Sequence, residues 1–142
     1  MLDPENLPDI EPNELTARFI ADKRHLNRST NPPTVKPNAY MPRKNEEGVS
    51  ITRLVQITEA EIWAVGRSMA ANRNPPRTLR GRSDVLVATF QSQGLEVKPV
   101  PVDDNPNHAE ARGWPTLESD QLMIAKEIAA VAKFTAAPST DA

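Results

Sequence analysis

The sequence contains no cysteine, which excludes a disulfide framework and any site built on a thiolate. Aromatic residues make up only 4% of the chain, and glycine occurs five times in 142 residues. The core is therefore expected to be small and mainly aliphatic. No apolar run approaches the ~18 residues of a membrane-spanning helix, and the N-terminus lacks the basic and apolar regions of a signal peptide. These absences predict a cytoplasmic protein without membrane contact.

Proline is abundant by contrast. Fourteen prolines predict long extended connections, because proline fixes φ and removes a backbone donor. Residues 1–13 combine three prolines with acidic side chains, which favours a disordered arm. Residues 135–142 are small and polar and are expected to be a frayed tail. Residues 14–134 then form one domain, as the chain length suggests.

Charge is distributed unevenly along the chain. Residues 1–17 hold five acidic and no basic residues, a net charge of −5. Residues 18–82 hold thirteen Lys and Arg against five acidic residues, a net charge of +8. Residues 83–142 hold four against nine, again −5. A basic middle segment between two acidic ones points to an anionic partner, although such charges are more often simply solvated.

The spacing of apolar residues predicts an α+β fold, with a small, mostly antiparallel sheet and three helices packed on one of its faces. Strands are predicted at residues 49–54, 95–98 and 108–114, and helices at residues 58–72, 84–93 and 119–134. Two stretches remain ambiguous. Residues 14–26 are roughly helically spaced, yet residues 17–20 could begin a strand, and Val85, Val87 and Thr89 would also suit a strand.

Local signals indicate where the predicted helices begin. Thr58 followed by Glu61 is a capping box for the first helix. Gly66 within that helix costs roughly 1 kcal/mol relative to alanine, and close approach of another element would explain it. Thr116 or Ser119 is the predicted cap of the last helix.

Residues 27–45 contain four prolines and almost no periodicity, which predicts a long loop. Tyr40 and Met41 are its only large apolar residues. We interpret them as anchors that pin the loop to the domain, and Tyr40 is also a candidate binding residue.

Several short motifs occur in series: Val35-Lys-Pro37, Tyr40-Met-Pro42, Glu61-Ile-Trp63 with Gly66, and His108-Ala-x-x-x-Gly-Trp-Pro115. Together they resemble a family of small, uncharacterised bacterial proteins. The resemblance covers about residues 18–134 and omits both tails. It implies a bacterial source and a self-contained module, and it implies no catalytic assignment.

The stretch from Asn105 to Pro115 is the leading candidate for a site, because it gathers a histidine, a tryptophan, a carboxylate and an arginine. His108 is a candidate acid or base, and Arg112 is a candidate for stabilising developing negative charge. The alternative, which we favour, is that His108 bonds the preceding Asp/Asn turn. Trp114 is either a core aromatic or a binding platform. No metal-ligand spacing is present, so neither a metal nor a cofactor is expected.

Arginines without intervening acidic residues dominate the region between Ile62 and Ser83. The candidate binding residues among them are Arg73, Arg77, Arg80 and Arg82. A guanidinium group forms a planar fork that suits phosphates and carboxylates. Aromatic residues are absent between Trp63 and Phe90, whereas proteins that bind single-stranded nucleic acids place stacking side chains beside basic ones.

The sequence has no glycine-rich phosphate loop and no Gly-x-Ser-x-Gly motif. We therefore expect a non-enzymatic binding or accessory module that acts with a macromolecular partner, such as the protein product of a neighbouring gene. One alternative is a small phosphodiester-cleaving enzyme, for example a toxin-like ribonuclease that uses His108 and arginines. The other is a nucleic-acid binder without catalysis.

Overall fold

A six-stranded antiparallel sheet forms the centre of the computed structural model, which describes residues 1–139. Its strands are β1 (Leu15–Ile20), β4 (Gly48–Arg53), β5 (Gly81–Leu86), β6 (Glu96–Pro99), β7 (His108–Arg112) and β8 (Lys133–Ala136). Their order across the sheet is β6–β7–β4–β1–β5–β8. A separate ladder pairs β2 (Leu26–Asn27) with β3 (Thr34–Val35). The α-helices are α1 (Glu59–Ala71), α2 (Val87–Ser92) and α3 (Glu118–Val131).

The helices cover both faces of the sheet. Ile20 packs in one core cluster with Phe90 of α2 and Ile128 of α3, whereas its neighbour Phe19 packs against a second cluster that contains Trp63 of α1. Successive residues of a strand point to opposite faces, so α1 lies across the sheet from α2 and α3. The predicted α+β class and mostly antiparallel sheet are confirmed. The placement of all three helices on one face is corrected, because periodicity shows which side of a helix is apolar but not which face of a sheet it covers.

Four elements follow the sequence closely. The strands β4, β6 and β7 and the helix α1 lie within two residues of their predicted bounds, and β7 returns against β6 as expected. The capping box is present, since Thr58 Oγ1 accepts from the Glu61 N–H and Glu61 Oε1 accepts from the Thr58 N–H. A Cβ at Gly66 would lie 2.7 Å from two ring atoms of Phe19. Close packing of β1 on α1 therefore requires glycine there.

Two predicted helices have different bounds in the structure. Residues 84–86, predicted as helix, belong to β5, which pairs with β1 over six residue pairs, and α2 begins only at Val87. Leu117 occupies the N-cap of α3 without a side-chain hydrogen bond, so neither Thr116 nor Ser119 caps that helix. The helix ends at Val131, and β8 follows where helix and frayed tail were predicted. The last three residues of the predicted tail, 140–142, lie outside the described residues.

The first 13 residues lie against the domain, which corrects their predicted disorder. Leu2 is buried, and its N–H donates to Asn107 Oδ1 at 2.9 Å. Arg53 Nη1 and Nη2 donate to the carbonyls of Pro8 and Asp9 at 3.0 and 3.1 Å. The same guanidinium forms a buried ion pair with Glu14 at 2.6 Å. Composition could not indicate this docking, because the acceptors and donors that hold the arm lie far along the chain.

Candidate functional site

The stretch from Asn105 to Pro115 serves the fold. Asn105 Nδ2 donates to Thr52 Oγ1 at 2.9 Å, and Asn107 Nδ2 donates to the carbonyls of Arg53 and Val55 at 2.8 and 2.9 Å. Both asparagine side chains are fully buried. Asn105 bonds the Thr52 hydroxyl, and Asn107 satisfies backbone carbonyls where β4 ends. This turn therefore fastens β7 and the N-terminal arm to the centre of the sheet.

His108 and Arg112 are held apart on β7. His108 is buried, and its Nδ1 lies 2.8 Å from the Val100 carbonyl. Because a carbonyl only accepts, Nδ1 carries the proton and donates it. Arg112 Nη2 pairs with Glu110 Oε1 at 2.7 Å. Four residues along a strand span about 13 Å, so the two proposed catalytic side chains do not converge on one reacting atom.

The aromatic binding candidates are engaged within the protein. Trp114 Nε1 donates to the Ala111 carbonyl at 2.9 Å, and the partly buried ring packs against the core. Tyr40 is fully buried, and its hydroxyl lies 2.6 Å from Ser83 Oγ. Its ring centroid is 6.2 Å from that of Phe90. Tyr40 therefore pins residues 37–40 to the core, as interpreted, and is not on a binding surface.

Arg82 differs from the other three predicted binding arginines because it is buried beneath α1. Its Nη1 and Nη2 donate to Glu59 at 3.2 and 3.0 Å, and its guanidinium lies 5.1 Å from the centre of the Trp63 ring. Its Nε is 3.3 Å from Asp84 Oδ1 without hydrogen-bond geometry. Burial raises the pKa of Asp84, and this outweighs the attraction of Arg82. Arg82 is therefore a structural residue.

A cavity opens where β1 and β4 separate. The two strands pair only at Thr16–Arg53 and Ala17–Thr52, although each strand has six residues. Beyond these pairs the strands part around a volume of about 230 Å³, bordered by the C-terminal half of α1 and by residues 41–46. Arg73 lines this cavity, whereas Arg77 and Arg80 are exposed and do not.

Basic side chains dominate the polar lining of the cavity. Arg18 is half-buried and donates from Nε to the Ala39 carbonyl at 2.9 Å and from Nη1 to the Ser50 carbonyl at 3.0 Å. Burial lowers the pKa of Arg18. Arg43, Arg73 and His25 also line the cavity, with Glu46 as the sole acidic residue among the described lining. Burial likewise lowers the pKa of His25, and Arg18 and Arg43 lower it further.

A basic groove adjoins the cavity. We use this name for the surface lined by Lys23, Arg24, Leu26, Asn27, Arg28 and Lys36. His25 connects the two regions, because it lies between groove residues in the chain and lines the cavity. Arg24 pairs with Asp22 at 2.8 Å, and hydrogen bonds from Arg24 hold the pKa of Asp22 well below its usual range. Lys23, Arg28 and Lys36 have no carboxylate partner within the described part of the chain.

The excess positive charge of residues 18–82 was predicted to bind a partner through the arginines of residues 73–82, and the structure shows how the basic side chains of this segment are distributed. Arg73 lines the cavity with Arg18 and Arg43, whereas Arg77 and Arg80 are exposed outside it and Arg82 is buried. The groove residues form a second basic surface. The signal that could have found them was the basic run near residue 25 together with the proline-rich loop that follows. Neither indicates that Arg18 and Arg73 line one cavity, because that arrangement depends on how α1 packs.

Two further observations concern metal ligands and membrane-spanning helices. Within residues 1–139, no group of three or more His, Asp and Glu side chains is arranged to hold a metal ion. No helix in the same range has the length and apolar character needed to cross a membrane. A comparison with protein-family models, with curated proteins and with solved structures finds no match to this chain.

Proposed function

We propose that the protein is a non-enzymatic cytoplasmic binding module that docks an acidic protein partner, such as the product of a neighbouring gene, on its basic groove. The observation that supports this proposal is the cluster of exposed Lys23, Arg28 and Lys36 side chains without carboxylate partners among the described residues. Unpaired charges of one sign repel one another, and an acidic surface would relieve that repulsion while steering the approach of the partner.

The burial and contacts of the aromatic side chains favour a protein partner over a single-stranded nucleic acid. Tyr40 is buried, Trp63 lies against Arg82, and Trp114 packs on the core. A nucleic-acid strand would therefore find no stacking platform among these three side chains, and stacking supplies much of its affinity in other proteins. Double-stranded nucleic acid remains the second candidate, because phosphates alone can bind the groove and the exposed Arg77 and Arg80.

The ribonuclease hypothesis gains little support from the geometry. It requires His108 and an arginine to face the same phosphate, yet His108 donates to Val100 and lies about four strand residues from Arg112. The resemblance to small bacterial proteins stays a prediction and adds no catalytic residue.

Fluorescence anisotropy with three labelled probes tests the docking proposal: a 20-residue polyglutamate, a single-stranded RNA and a DNA duplex of similar charge. We expect polyglutamate to bind at low salt, with an affinity that falls as salt screens the charges. Arg28→Glu and Lys36→Glu should each weaken binding about fivefold, the equivalent of ~1 kcal/mol for an exposed charge pair. Lys98→Glu, the same kind of change on β6 at the far edge of the sheet, is the matched control and should have little effect.

The outcomes separate the candidates. Weaker polyglutamate binding in the two groove variants but not in Lys98→Glu would support the proposal. Binding of RNA or DNA alone, lost in the same variants, would replace it with the nucleic-acid alternative. Failure of all three probes to bind at low salt would overturn the groove as a docking surface.

A further inference from the structure

The structure assigns a second binding site: we propose that the cavity between β1 and β4 holds a small amphiphilic anion, a carboxylate or phosphate head group joined to an apolar body. The cavity uses different side chains from the groove, apart from the junction at His25. The proposal therefore stands independently of partner docking.

The cavity exists because two neighbouring strands of the sheet separate. If the register of Thr16–Arg53 and Ala17–Thr52 continued, Arg18 would face Ile51 and Phe19 would face Ser50. Instead, Arg18 reaches across the gap and donates to the Ser50 carbonyl with Nη1. A side chain therefore bridges the two strands where ladder hydrogen bonds end. Such a gap in the middle of a sheet exposes strand edges to a ligand that a continuous sheet would exclude.

Arg18 is the natural anchor for an anionic head group. Two of its nitrogens donate hydrogen bonds to carbonyls. These bonds orient the guanidinium but do not neutralise its charge. No carboxylate in residues 1–139 lies within ion-pair distance, and no hydrogen bond from Nη2 occurs within that range. A charge that is partly removed from water and has no ion-pair partner is unfavourable, and a bound anion would offset that cost. Arg43 and Arg73 line the same space and would add attraction.

The rest of the lining suits an apolar body. Phe19, Met69 and Leu79 contribute to the wall, and Gly66 lets Phe19 lie directly on α1. The volume of about 230 Å³ is below the range of ~300–1,000 Å³ typical of sites for drug-sized ligands. The ligand is therefore small, with a head group at Arg18 and a short apolar chain or ring against the helix.

Isothermal titration calorimetry with straight-chain acids tests this assignment directly. The series acetate, butanoate and hexanoate varies the apolar body at constant charge, and hexanol removes the charge. Hexyl phosphate exchanges one head group for the other. We expect affinity to rise about fourfold per methylene, the equivalent of ~0.8 kcal/mol for each buried CH₂ group, and hexanol not to bind measurably.

Matched variants locate the site. Arg18→Gln should reduce hexanoate affinity at least tenfold. Because Arg18 also bridges the strands, Arg73→Gln provides a second test that does not disturb the sheet, with a severalfold loss expected. Arg77→Gln, an exposed arginine six residues from the end of α1 that lies outside the cavity, is the control and should bind as the wild type does. Amide NMR shifts on titration should concentrate at Gly48 and Gly66 and leave Gly113 unchanged.

The calorimetric results can support the site, change its head group or remove it. Charge-dependent binding that strengthens with chain length and weakens in Arg73→Gln but not in Arg77→Gln would support the site. If hexyl phosphate binds and the carboxylates do not, the site stands and its ligand carries a phosphate head group. Binding that is equal for hexanol and hexanoate, or is independent of chain length, would overturn the amphiphilic assignment. Absence of binding by any acid or phosphate would remove the site, whatever the groove does.

Discussion

At the scale of single residues, the partners of each polar group determine which side chains are available for function. His108 and His25 illustrate this, because the sequence offers both as titratable groups. His108 is buried and donates to a carbonyl, whereas His25 is half-buried among Arg18, Arg43 and the cavity. Burial lowers the pKa of His25, which outweighs the opposing attraction of Asp22 and favours the neutral ring. Of the two histidines, His25 is the one that lines the cavity, although no sequence motif pointed to it.

Replacement of His108 by alanine tests its structural role. His108→Ala should reduce the free energy of unfolding by about 1 kcal/mol, because the Val100 carbonyl loses its hydrogen bond. Urea denaturation measures this loss, and a cleavage assay on RNA and DNA runs in parallel. We expect no cleavage by the wild-type protein. Wild-type cleavage that disappears in a stable His108→Ala variant would instead establish the ribonuclease hypothesis.

At the scale of secondary-structure elements, the helices differ in how their first turns are satisfied. Helix α1 begins with a reciprocal capping box, in which Thr58 and Glu61 bond each other's backbone. The pKa of Glu61 is lowered, chiefly by the hydrogen bond from the Thr58 backbone. Helix α3 begins at Glu118, and its N-cap residue Leu117 makes no side-chain hydrogen bond. Packing of Ala125 and Ile128 in the core holds this helix instead.

The two threonines before α1 and α3 provide a matched pair of variants. Thr58→Ala should destabilise the protein by about 1 kcal/mol, because the Glu61 N–H loses its acceptor. Thr116→Ala should change stability by less than ~0.5 kcal/mol, since Thr116 is exposed and caps nothing. Thermal and urea denaturation measure both. Equal losses in the two variants would show that Thr116 caps α3 and would contradict Leu117 as its N-cap.

At the scale of the whole molecule, the N-terminal arm completes the domain. Leu2 inserts into a buried site beside Asn107, and Ile10 packs against the main core cluster. Arg53 connects the arm to β4 through two carbonyls and the Glu14 carboxylate. The acidic arm is therefore held by backbone bonds and apolar burial, and Lys23, Arg28 and Lys36 of the basic groove have no carboxylate partner among residues 1–139.

Removal of the arm tests this arrangement. Deletion of residues 1–9 should lower the melting temperature by several degrees, because Leu2 leaves its site and Arg53 loses two acceptors. Leu2→Ala alone should cost about 2–3 kcal/mol as a buried leucine, and Leu117→Ala, at an exposed leucine, should cost little. An unchanged melting temperature after the deletion would restore the predicted disorder of the arm.

The sequence by itself determined the elements whose signals are local. The capping box set the start of α1, and alternation set β4, β6 and β7, because each pattern reports on residues a few positions apart. Only the tertiary structure decided that residues 84–86 extend β5, since β5 pairs with β1 almost 70 residues earlier in the chain and sheet pairing outweighs local helix propensity. The cavity was beyond prediction for the same reason. It depends on the separation of β1 from β4 and on Gly66 admitting Phe19, which bring Arg18, Arg43 and Arg73 together from three distant segments.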